Sequence, residues 1–211
     1  MSKSERNVIK LPEGRLSFAY LATPKAKPRR DDGSQPDPTY EAVVLLDPSN
    51  SAHAAAIKAL KEEAQRIAAS DPKLAGVPVK KLVLAFGSGD KKAIDEDGAS
   101  DPTYEAYKGM FYVNTASRQK PLIGDRSGKV IEKEHPQFPY SGCYANVRVT
   151  LYPWHHVQTN RRGISVDLRS VQFVKDGPAF GRGPVDPDEE FEPLGDAAEG
   201  AASTSVDGWD D

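Results

Sequence analysis

The sequence predicts a mainly β fold, an antiparallel barrel or sandwich with one inserted helix, followed by an acidic end segment without globular structure. Six to eight short segments show the alternating apolar and polar pattern of β-strands, and turn residues separate them. Helical periodicity is confined to residues 51–70. Strands and helices do not alternate in the βαβ order of a parallel sheet, which favours antiparallel pairing.

Length and composition favour one domain with flexible additions. The 211 residues suffice for one domain of ordinary size or at most two small ones. A mean hydropathy of −0.58 indicates that a sizeable part of the chain lies in loops. No apolar run reaches the roughly 18–20 residues of a membrane span, residues 1–10 lack the apolar region of a signal peptide, and Cys143 is the sole cysteine. We therefore expect a cytoplasmic protein without membrane contact or a disulfide framework.

The first half of the chain contains two predicted strands and the helix. We predict a strand at 15–22, a mobile Pro-rich loop at 23–38, a more buried strand at 40–47 and the helix at 51–70. Asn50 or Ser51 can cap the helix, and Pro72 follows its end. Such an Ala-, Glu- and Lys-rich helix most simply plugs or flanks a β-core.

The second half is richer in strands. A polar loop at 87–105 interrupts a series of strands predicted at 80–86, 109–117, 120–124, 129–133, 141–154 and 162–174. The apolar phase of the last strand changes between Leu168 and Val171, which predicts a β-bulge. Beyond Gly177 the sequence turns to glycine, proline and acidic residues, so we expect disorder there.

Charge is distributed unevenly along the chain. All 28 Lys and Arg residues precede Pro184, whereas ten of the 31 Asp and Glu residues follow it. Residues 1–183 therefore carry a net charge of +7 within a chain whose total is −3. This division predicts a domain at 1–183 that binds a polyanion and a disordered acidic C-terminal tail at 184–211. The alternative is an ordinary domain with a tail that only improves solubility.

The longest predicted strand has two contrasting faces. One phase, from Cys143 to Leu151, is small and apolar and belongs to the core. The opposite phase consists of Tyr144, Asn146, Arg148, Thr150, Tyr152 and Trp154. Bases of single-stranded nucleic acid stack on aromatic rings while guanidinium groups neutralise phosphates. The face therefore predicts a nucleic-acid interface, although Tyr and Trp also commonly form a second core layer.

Basic residues lie close in sequence to this strand and outline a groove. Two of them follow one predicted strand (Arg118 and Lys120), two occupy a turn (Arg126 and Lys129), and two precede the last strand (Arg161 and Arg162). Each alone is an ordinary surface charge, but together with the aromatic residues they predict a basic groove with stacking platforms.

Catalytic interpretations find little support. The turn FGSGDKK at 86–92 lacks the spacing of a phosphate-binding loop. His155 and His156 are neighbours that would point to opposite faces of a strand, and Asp95 to Asp97 form an acidic run typical of a solvated turn. Cys143 lies in the core phase. We therefore predict no enzyme, no metal and no cofactor.

Two segments resemble a known family. AYKGMFYVNTASRQKP (106–121) and YSGCYANVRVTLYPW (140–154) resemble the single-stranded DNA-binding proteins of phages and prophages. The first segment is similar to the family's Tyr-Lys-Gly strand with its basic turn, and the second to its Tyr-Ser-Gly-Cys-Tyr strand. The likeness covers residues 10–183, and the chain departs from it by longer loops at 23–38 and 87–105.

The resemblance implies an OB-type barrel without catalytic activity. It adds Tyr107, Lys108 and Tyr112 to the candidate contacts. The predicted DNA-binding set is therefore Tyr107, Lys108, Tyr112, Arg118, Lys120, Arg126, Tyr144, Asn146, Arg148, Tyr152, Trp154, Arg161 and Arg162.

Residues 205–211 read SVDGWDD, an acidic segment around a lone tryptophan. The segment resembles the acidic ends of many single-stranded DNA-binding proteins. An exposed Trp209 can enter a pocket of a replication or recombination protein, while Asp207, Asp210 and Asp211 meet basic residues around that pocket.

The sequence thus predicts a protein that coats single-stranded DNA in the bacterial host cytoplasm during phage replication or recombination, with a possible homo-oligomeric state. Two alternatives remain open at this stage. One is an RNA-binding or annealing protein on a similar barrel, and the other is a phage structural or assembly protein.

Overall fold

A computed structural model describes residues 7–29, 33–94 and 101–180, and residues up to Phe180 form one compact unit. The strands are β1 (Val8–Lys25), β2 (Thr39–Leu46), β3 (Val83–Leu84), β4 (Phe86–Ser88), β5 (Phe111–Ser117), β6 (Leu122–Gly124), β7 (Tyr144–His156) and β8 (Arg161–Lys175). Helix α1 spans Ser51–Ser70, and short 3₁₀ turns include Pro72–Leu74, Val79–Lys81 and Pro102–Tyr107. The predicted tail at 184–211 lies outside the described residues.

Five strands close into a barrel in the order β1, β2, β5, β8 and β7. The long β1 pairs antiparallel with β7 through its first half and with β2 through its second half. β2 pairs with β5 and β7 pairs with β8, also antiparallel. The barrel closes where Ala116 of β5 pairs in parallel with Asp167 of β8. This is a five-stranded OB-type barrel, which confirms the predicted fold.

Short strands extend the barrel on both sides of this closure. β3 pairs in parallel with β8, and β4 pairs antiparallel with β5, so residues 83–88 fill the space between the two diverging strands. β6 pairs in parallel with β8 farther along. The barrel strands β5 and β8 are thus held together over a longer distance than their single direct pairing provides.

Helix α1 has the predicted bounds and packs against β1, β2 and β7. The side chain of Asn50 caps it and accepts hydrogen bonds from the backbone N–H groups of Ala52 and His53, at 2.9 and 3.2 Å. Its apolar face, which includes Leu60, Ala64 and Ile67, is buried in the barrel core. The helix therefore supplies core surface, as its periodicity predicted.

The central core lies inside the barrel. Cys143, Ala145, Val147, Val149 and Leu151 are at most 2% exposed, which confirms the predicted inner phase of β7. The bulge predicted in the last strand is also confirmed. Val149 pairs with Leu168 and Arg148 pairs with Ser170, so Arg169 is the extra residue and its side chain is exposed.

Several details differ from the sequence-based prediction. In place of the single strand predicted at 80–86, the chain forms the 3₁₀ turn Val79–Lys81 and the short strands β3 and β4. β1 begins at Val8 rather than at residue 15, because its first half pairs with β7. Residues 129–133 form an isolated bridge at Val130 instead of a strand. The loop predicted at 87–105 contains part of the 3₁₀ turn Pro102–Tyr107. None of the helices in the described ranges combines the length and apolar character needed to cross a lipid bilayer.

Candidate nucleic-acid interface

An open groove of about 1970 Å³ lies on the barrel surface near the β5–β8 closure. One wall is the connection from β1 to β2, which contributes Lys27 and Asp37, and the other wall is the turn after β5. The floor comes from β7 and β8. The groove is lined by Val8, Lys27, Pro28, Gln35, Pro36, Asp37, Thr39, Ala116, Ser117, Arg118, Gln119, Lys120, Leu122, Tyr152, Asp167, Leu168 and Arg169.

Four cationic side chains line this groove, and the structure brings two of the predicted ones, Arg118 and Lys120, to it. Lys27 and Arg169 are the two that the sequence analysis missed. Lys27 stands in a segment predicted as a mobile loop, and Arg169 is the bulge residue. The bulge in the apolar phase was the one signal that could have pointed to Arg169, because a bulge turns its extra side chain out of the regular pattern.

Three of the four groove cations form ion pairs with acidic side chains. Lys27 pairs with Glu41, and Arg118 pairs with Asp37 at 3.4 Å across the two walls. Lys120 pairs with Glu132, and this hydrogen bond raises the pKa of the Lys120 ammonium group. A phosphate that enters the groove would therefore exchange with carboxylates that already occupy the cations.

The outer face of β7 extends beyond the groove on both sides. Its side chains are those of Tyr144, Asn146, Arg148, Tyr152 and Trp154. Tyr152 lines the groove and pairs with Ser165 across the strands. Thr150, which the sequence analysis placed on the exposed face, is only 2% exposed, so this prediction is wrong. Arg148 is exposed and has Lys10 of β1 and Ser170 of β8 as its cross-strand neighbours. Lys10 therefore adds a cation beside Arg148 that the sequence analysis did not identify.

Tyr144 stands at one end of this face. Its ring lies over Gly177, where a Cβ atom would come within 3.0 Å of the ring. The ammonium group of Lys175 lies 4.7 Å from the ring centroid. Asn146, two residues on, accepts a hydrogen bond from the backbone N–H of Glu13 at 3.1 Å. Asn146 thus has a structural role in holding β1 against β7.

Trp154 stands at the other end of the face, beside its cross-strand neighbour Gly163. A Cβ atom on Gly163 would lie 2.6 Å from the indole ring, so the ring rests directly on the glycine backbone. The half-buried ring is therefore packed against the protein backbone on the side of Gly163.

Three further predicted arginines lie outside the groove, as Arg148 does. Arg161 and Arg162 follow the β7–β8 turn and line a second, smaller pocket. Arg162 donates a hydrogen bond from Nη1 to the carbonyl oxygen of Ala75 at 3.1 Å. Arg126 is exposed in the turn after β6, next to Asp125, whose carbonyl oxygen accepts a hydrogen bond from Gln172 of β8.

The segment around Tyr107 lies elsewhere, in an aromatic cluster on the outside of the barrel. Tyr107 is 1% exposed and packs edge-on against Tyr104, with ring centroids 5.2 Å apart. Burial raises the pKa of the Tyr107 hydroxyl to about 12, and Ser17 faces this hydroxyl without the geometry of a hydrogen bond. Its burial conflicts with the predicted DNA contact, because a base cannot reach the ring.

Tyr112 and Lys108 border the same cluster. Tyr112 is half-buried, and the Lys92 ammonium group lies 4.6 Å from its ring centroid. Lys108 pairs with Glu105 at 2.8 Å. The structure therefore does not bring Tyr107, Lys108 and Tyr112 into the groove that contains Arg118, Lys120 and Tyr152. Local sequence carried no signal of this difference, since tyrosines suit both cores and binding surfaces.

The described part of the chain contains neither a cluster of metal ligands nor a reactive cysteine. No three His, Cys, Asp or Glu side chains there lie close enough together to hold a metal ion. Cys143 is buried, and its burial raises the pKa of the thiol to about 11, so the thiolate is not available as a nucleophile near neutral pH.

An OB-type barrel with a cationic groove and aromatic rings on its outer strands defines a class of polyanion-binding proteins. Within this class, the chain belongs to the family of the single-stranded DNA-binding protein of Enterobacter phage Enc34, whose sequence model matches residues 7–202. This confirms the resemblance to phage single-stranded DNA-binding proteins. The family comprises DNA-binding proteins rather than enzymes, in agreement with the prediction that the chain is not an enzyme.

One curated relative is the putative protein p50 of Acyrthosiphon pisum secondary endosymbiont phage 1. It is 34% identical over 121 residues, which are 57% of this chain and 63% of that protein. The match therefore spans less than two thirds of the relative's length.

Solved structures show the same fold. The single-stranded DNA-binding protein of bacteriophage Enc34 superposes with a TM-score of 0.63 at 19% identity, covering 88% of this chain and 90% of that chain. The same phage protein in complex with single-stranded DNA gives 0.60 at 24% identity, covering 82% and 89%. Gp2.5, a single-stranded DNA-binding protein of bacteriophage T7, gives 0.54 at 15% identity, covering 94% and 100%.

Proposed function

We propose that this protein binds single-stranded DNA without catalysis, in the groove and along the outer face of β7, and coats transient single strands during phage DNA replication or recombination in the bacterial host cytoplasm. Family membership supports the class of ligand. The observation that carries the proposal for this chain is the convergence of Lys27, Arg118, Lys120 and Arg169 around Tyr152. These five side chains are scattered over more than 140 positions of sequence.

The chemistry of the interface favours unpaired strands. Rings such as Tyr152 and Trp154 offer flat faces on which successive bases stack, and each stacked base contributes about 1–3 kcal/mol. A duplex keeps its bases stacked on one another and offers only phosphates to the groove. Base identity matters little to stacking, so we propose binding without strong sequence preference.

A fluorescence titration with oligo-dT and with a duplex hairpin, each at two salt concentrations, tests this proposal. We expect tight binding to oligo-dT, weaker binding to the hairpin, and a fall in both affinities as salt increases. A matched oligo-rU measures the preference for DNA over RNA. Equal affinity for the hairpin stem and oligo-dT would contradict the proposal, and preference for oligo-rU would favour an RNA-binding role.

We further propose that residues 184–211 recruit a replication or recombination protein. The support is the sequence alone: ten acidic residues in this segment surround a lone Trp209. An exposed indole is a strong anchor for a protein pocket, and the neighbouring carboxylates add complementarity to a basic rim.

A further inference from the structure

A second cationic pocket lies at the turn between β7 and β8, on the far side of Trp154 from the groove. It has a volume of about 590 Å³. The segment between α1 and β3 forms one side of it, and the start of β8 forms the other. The pocket is lined by Ala75, Gly76, Val77, Lys81, Val83, Asn160, Arg161 and Arg162, and no acidic side chain lines it.

The cations of this pocket differ from those of the groove in their ion pairs. Lys27, Arg118 and Lys120 are held by carboxylates. Lys81 and Arg161 make no ion pair with any side chain in the described ranges. Phosphate can therefore reach Lys81 and Arg161 without displacing an acid, which favours an anionic ligand here.

Arg162 shapes the pocket rather than facing it as a free charge. Its hydrogen bond to the carbonyl oxygen of Ala75 fastens the segment between α1 and β3 to the start of β8. Val83 pairs with Gly163 immediately beside it. The two connections bring Lys81, at the end of the 3₁₀ turn Val79–Lys81, and Arg161 to the same pocket.

Trp154 connects the pocket with the interface already described. A Cβ atom on Gly163 would meet both the indole ring of Trp154 and the carbonyl oxygen of Val83, so both groups lie against this glycine. Val83 lines the pocket, and Tyr152, two residues before Trp154, lines the groove. The groove, Tyr152, Trp154 and the pocket thus follow one another along β7.

We propose that this pocket is a second nucleotide-binding subsite, which takes the phosphates of a single strand that continues from the groove past Trp154. Lys81 and Arg161 contact the phosphates, and Arg162 is a positioning residue that holds the pocket together. This inference rests on the proposed function, because it extends the same DNA path. Only a strand long enough to pass Trp154 reaches the subsite.

The test compares two lengths of oligo-dT, about 4 and about 16 nucleotides, which span the site sizes of single OB folds. Lys81→Ala should weaken binding of the long oligonucleotide about two- to fivefold, the range of an exposed ion pair. It should also lower the salt slope for the long oligonucleotide by about 0.7, the value for one phosphate contact on a single strand. Binding of the short oligonucleotide should not change.

Lys80→Ala is the matched control, since Lys80 stands in the same 3₁₀ turn, is exposed and does not line the pocket. It should bind both lengths as the unmodified protein does. Arg162→Ala should also weaken only the long oligonucleotide, and the double variant with Lys81→Ala should lose no more than the larger single loss. Additive losses would contradict the positioning role of Arg162.

Tyr152→Ala separates the two proposals. If Tyr152→Ala weakens both lengths and Lys81→Ala weakens neither, the second subsite is wrong and the proposed function stands. If Tyr152→Ala also changes nothing, the groove itself is not the DNA site. Loss of poly-glutamate binding in Lys81→Ala with unchanged DNA binding would assign the pocket to an acidic protein segment and overturn the proposal.

Discussion

Two aromatic rings of the outer β7 face depend on glycines for their position. A Cβ atom on Gly163 would collide with the Trp154 ring at 2.6 Å, and one on Gly177 would lie only 3.0 Å from the Tyr144 ring. Ten residues of strand separate the two rings, a distance of roughly 33 Å. A larger side chain at either glycine would therefore push on the ring beside it.

We expect Tyr144→Ala and Trp154→Ala each to weaken single-stranded DNA binding by about 1–3 kcal/mol. The salt slope should hardly change, because a stacking contact releases no counterions. Fluorescence titrations at several salt concentrations measure both quantities. Melting curves on the same samples are needed, since unfolding of these variants would mean that the rings serve the core.

Arg148→Ala provides the contrasting case on the same face. Its side chain is exposed between Lys10 and Ser170 and packs into no core. The salt slope should fall by about 0.7 as one phosphate contact is lost. Lys58→Ala, an equally large loss of charge on the exposed side of α1, is the control and should leave the slope unchanged. An unaltered slope in Arg148→Ala would remove Arg148 from the interface.

At the scale of elements, the Arg118–Asp37 pair joins the two walls of the groove. Asp37 belongs to the β1–β2 connection and Arg118 to the turn after β5. Both side chains are largely exposed, so the pair contributes little to stability. Its main consequence is that the Asp37 carboxylate competes with DNA phosphates for the Arg118 guanidinium group.

Asp37→Asn should therefore raise DNA affinity at low salt, by about two- to fivefold. The gain should shrink at high salt as screening increases. Glu62→Gln on α1 changes the net charge equally at an exposed position that pairs with Lys58 and does not line the groove. If both variants gain equally, net charge alone explains the effect and the Asp37 contact does not.

Helix α1 is tied to the start of β1 by a buried carboxylate. Glu63 accepts two hydrogen bonds from Arg66, at 2.8 and 2.6 Å, and one from Asn7 at 2.9 Å. The Arg66 hydrogen bonds are the main reason that the pKa of Glu63 lies below its ordinary value of 4.5. The ionised carboxylate therefore stabilises the fold above this value, and its contribution is lost as pH falls through the folded pKa.

We expect Glu63→Gln to lower the free energy of unfolding by about 1–3 kcal/mol at pH 7. The difference between the variant and the unmodified protein should narrow well below pH 4.5, where Glu63 itself becomes neutral. Urea unfolding at both pH values measures this. Glu62→Gln, next in sequence and exposed, should change stability by less than about 0.5 kcal/mol. If the difference in unfolding free energy stayed constant with pH, the charge of Glu63 would not be what stabilises the fold.

At the scale of the whole molecule, residues 1–183 with a net charge of +7 are joined to ten acidic residues. A polyanionic segment on the same chain is present at high effective concentration and can compete with DNA for the cationic surface. Such competition would be strongest at low salt.

Deletion of residues 184–211 should raise DNA affinity at low salt, and the gain should shrink at high salt. Trp209→Ala keeps all ten acidic residues and should bind DNA as the unmodified protein does. Capture of a purified replication or recombination protein of the phage or its host should fall in both variants. If the deletion binds DNA no better and Trp209→Ala captures as much partner, the segment serves solubility alone.

The sequence alone determined the elements whose signals are local. The helix at 51–70 follows from apolar spacing and its Asn50 cap, the inner phase of β7 from strict alternation, and the bulge at Arg169 from a change of phase. The resemblance in two motifs was enough to identify the family. These features are readable because periodicity within one segment reports which face is apolar.

Only the tertiary structure decided which faces meet. The β5–β8 closure places Lys27, Arg118 and Arg169 around one groove, although no short segment contains them together. The same structure buries Tyr107 under an aromatic cluster and leaves Tyr152 in the groove. A tyrosine has the same local pattern in both places, because its burial depends on the partner surface that distant residues supply.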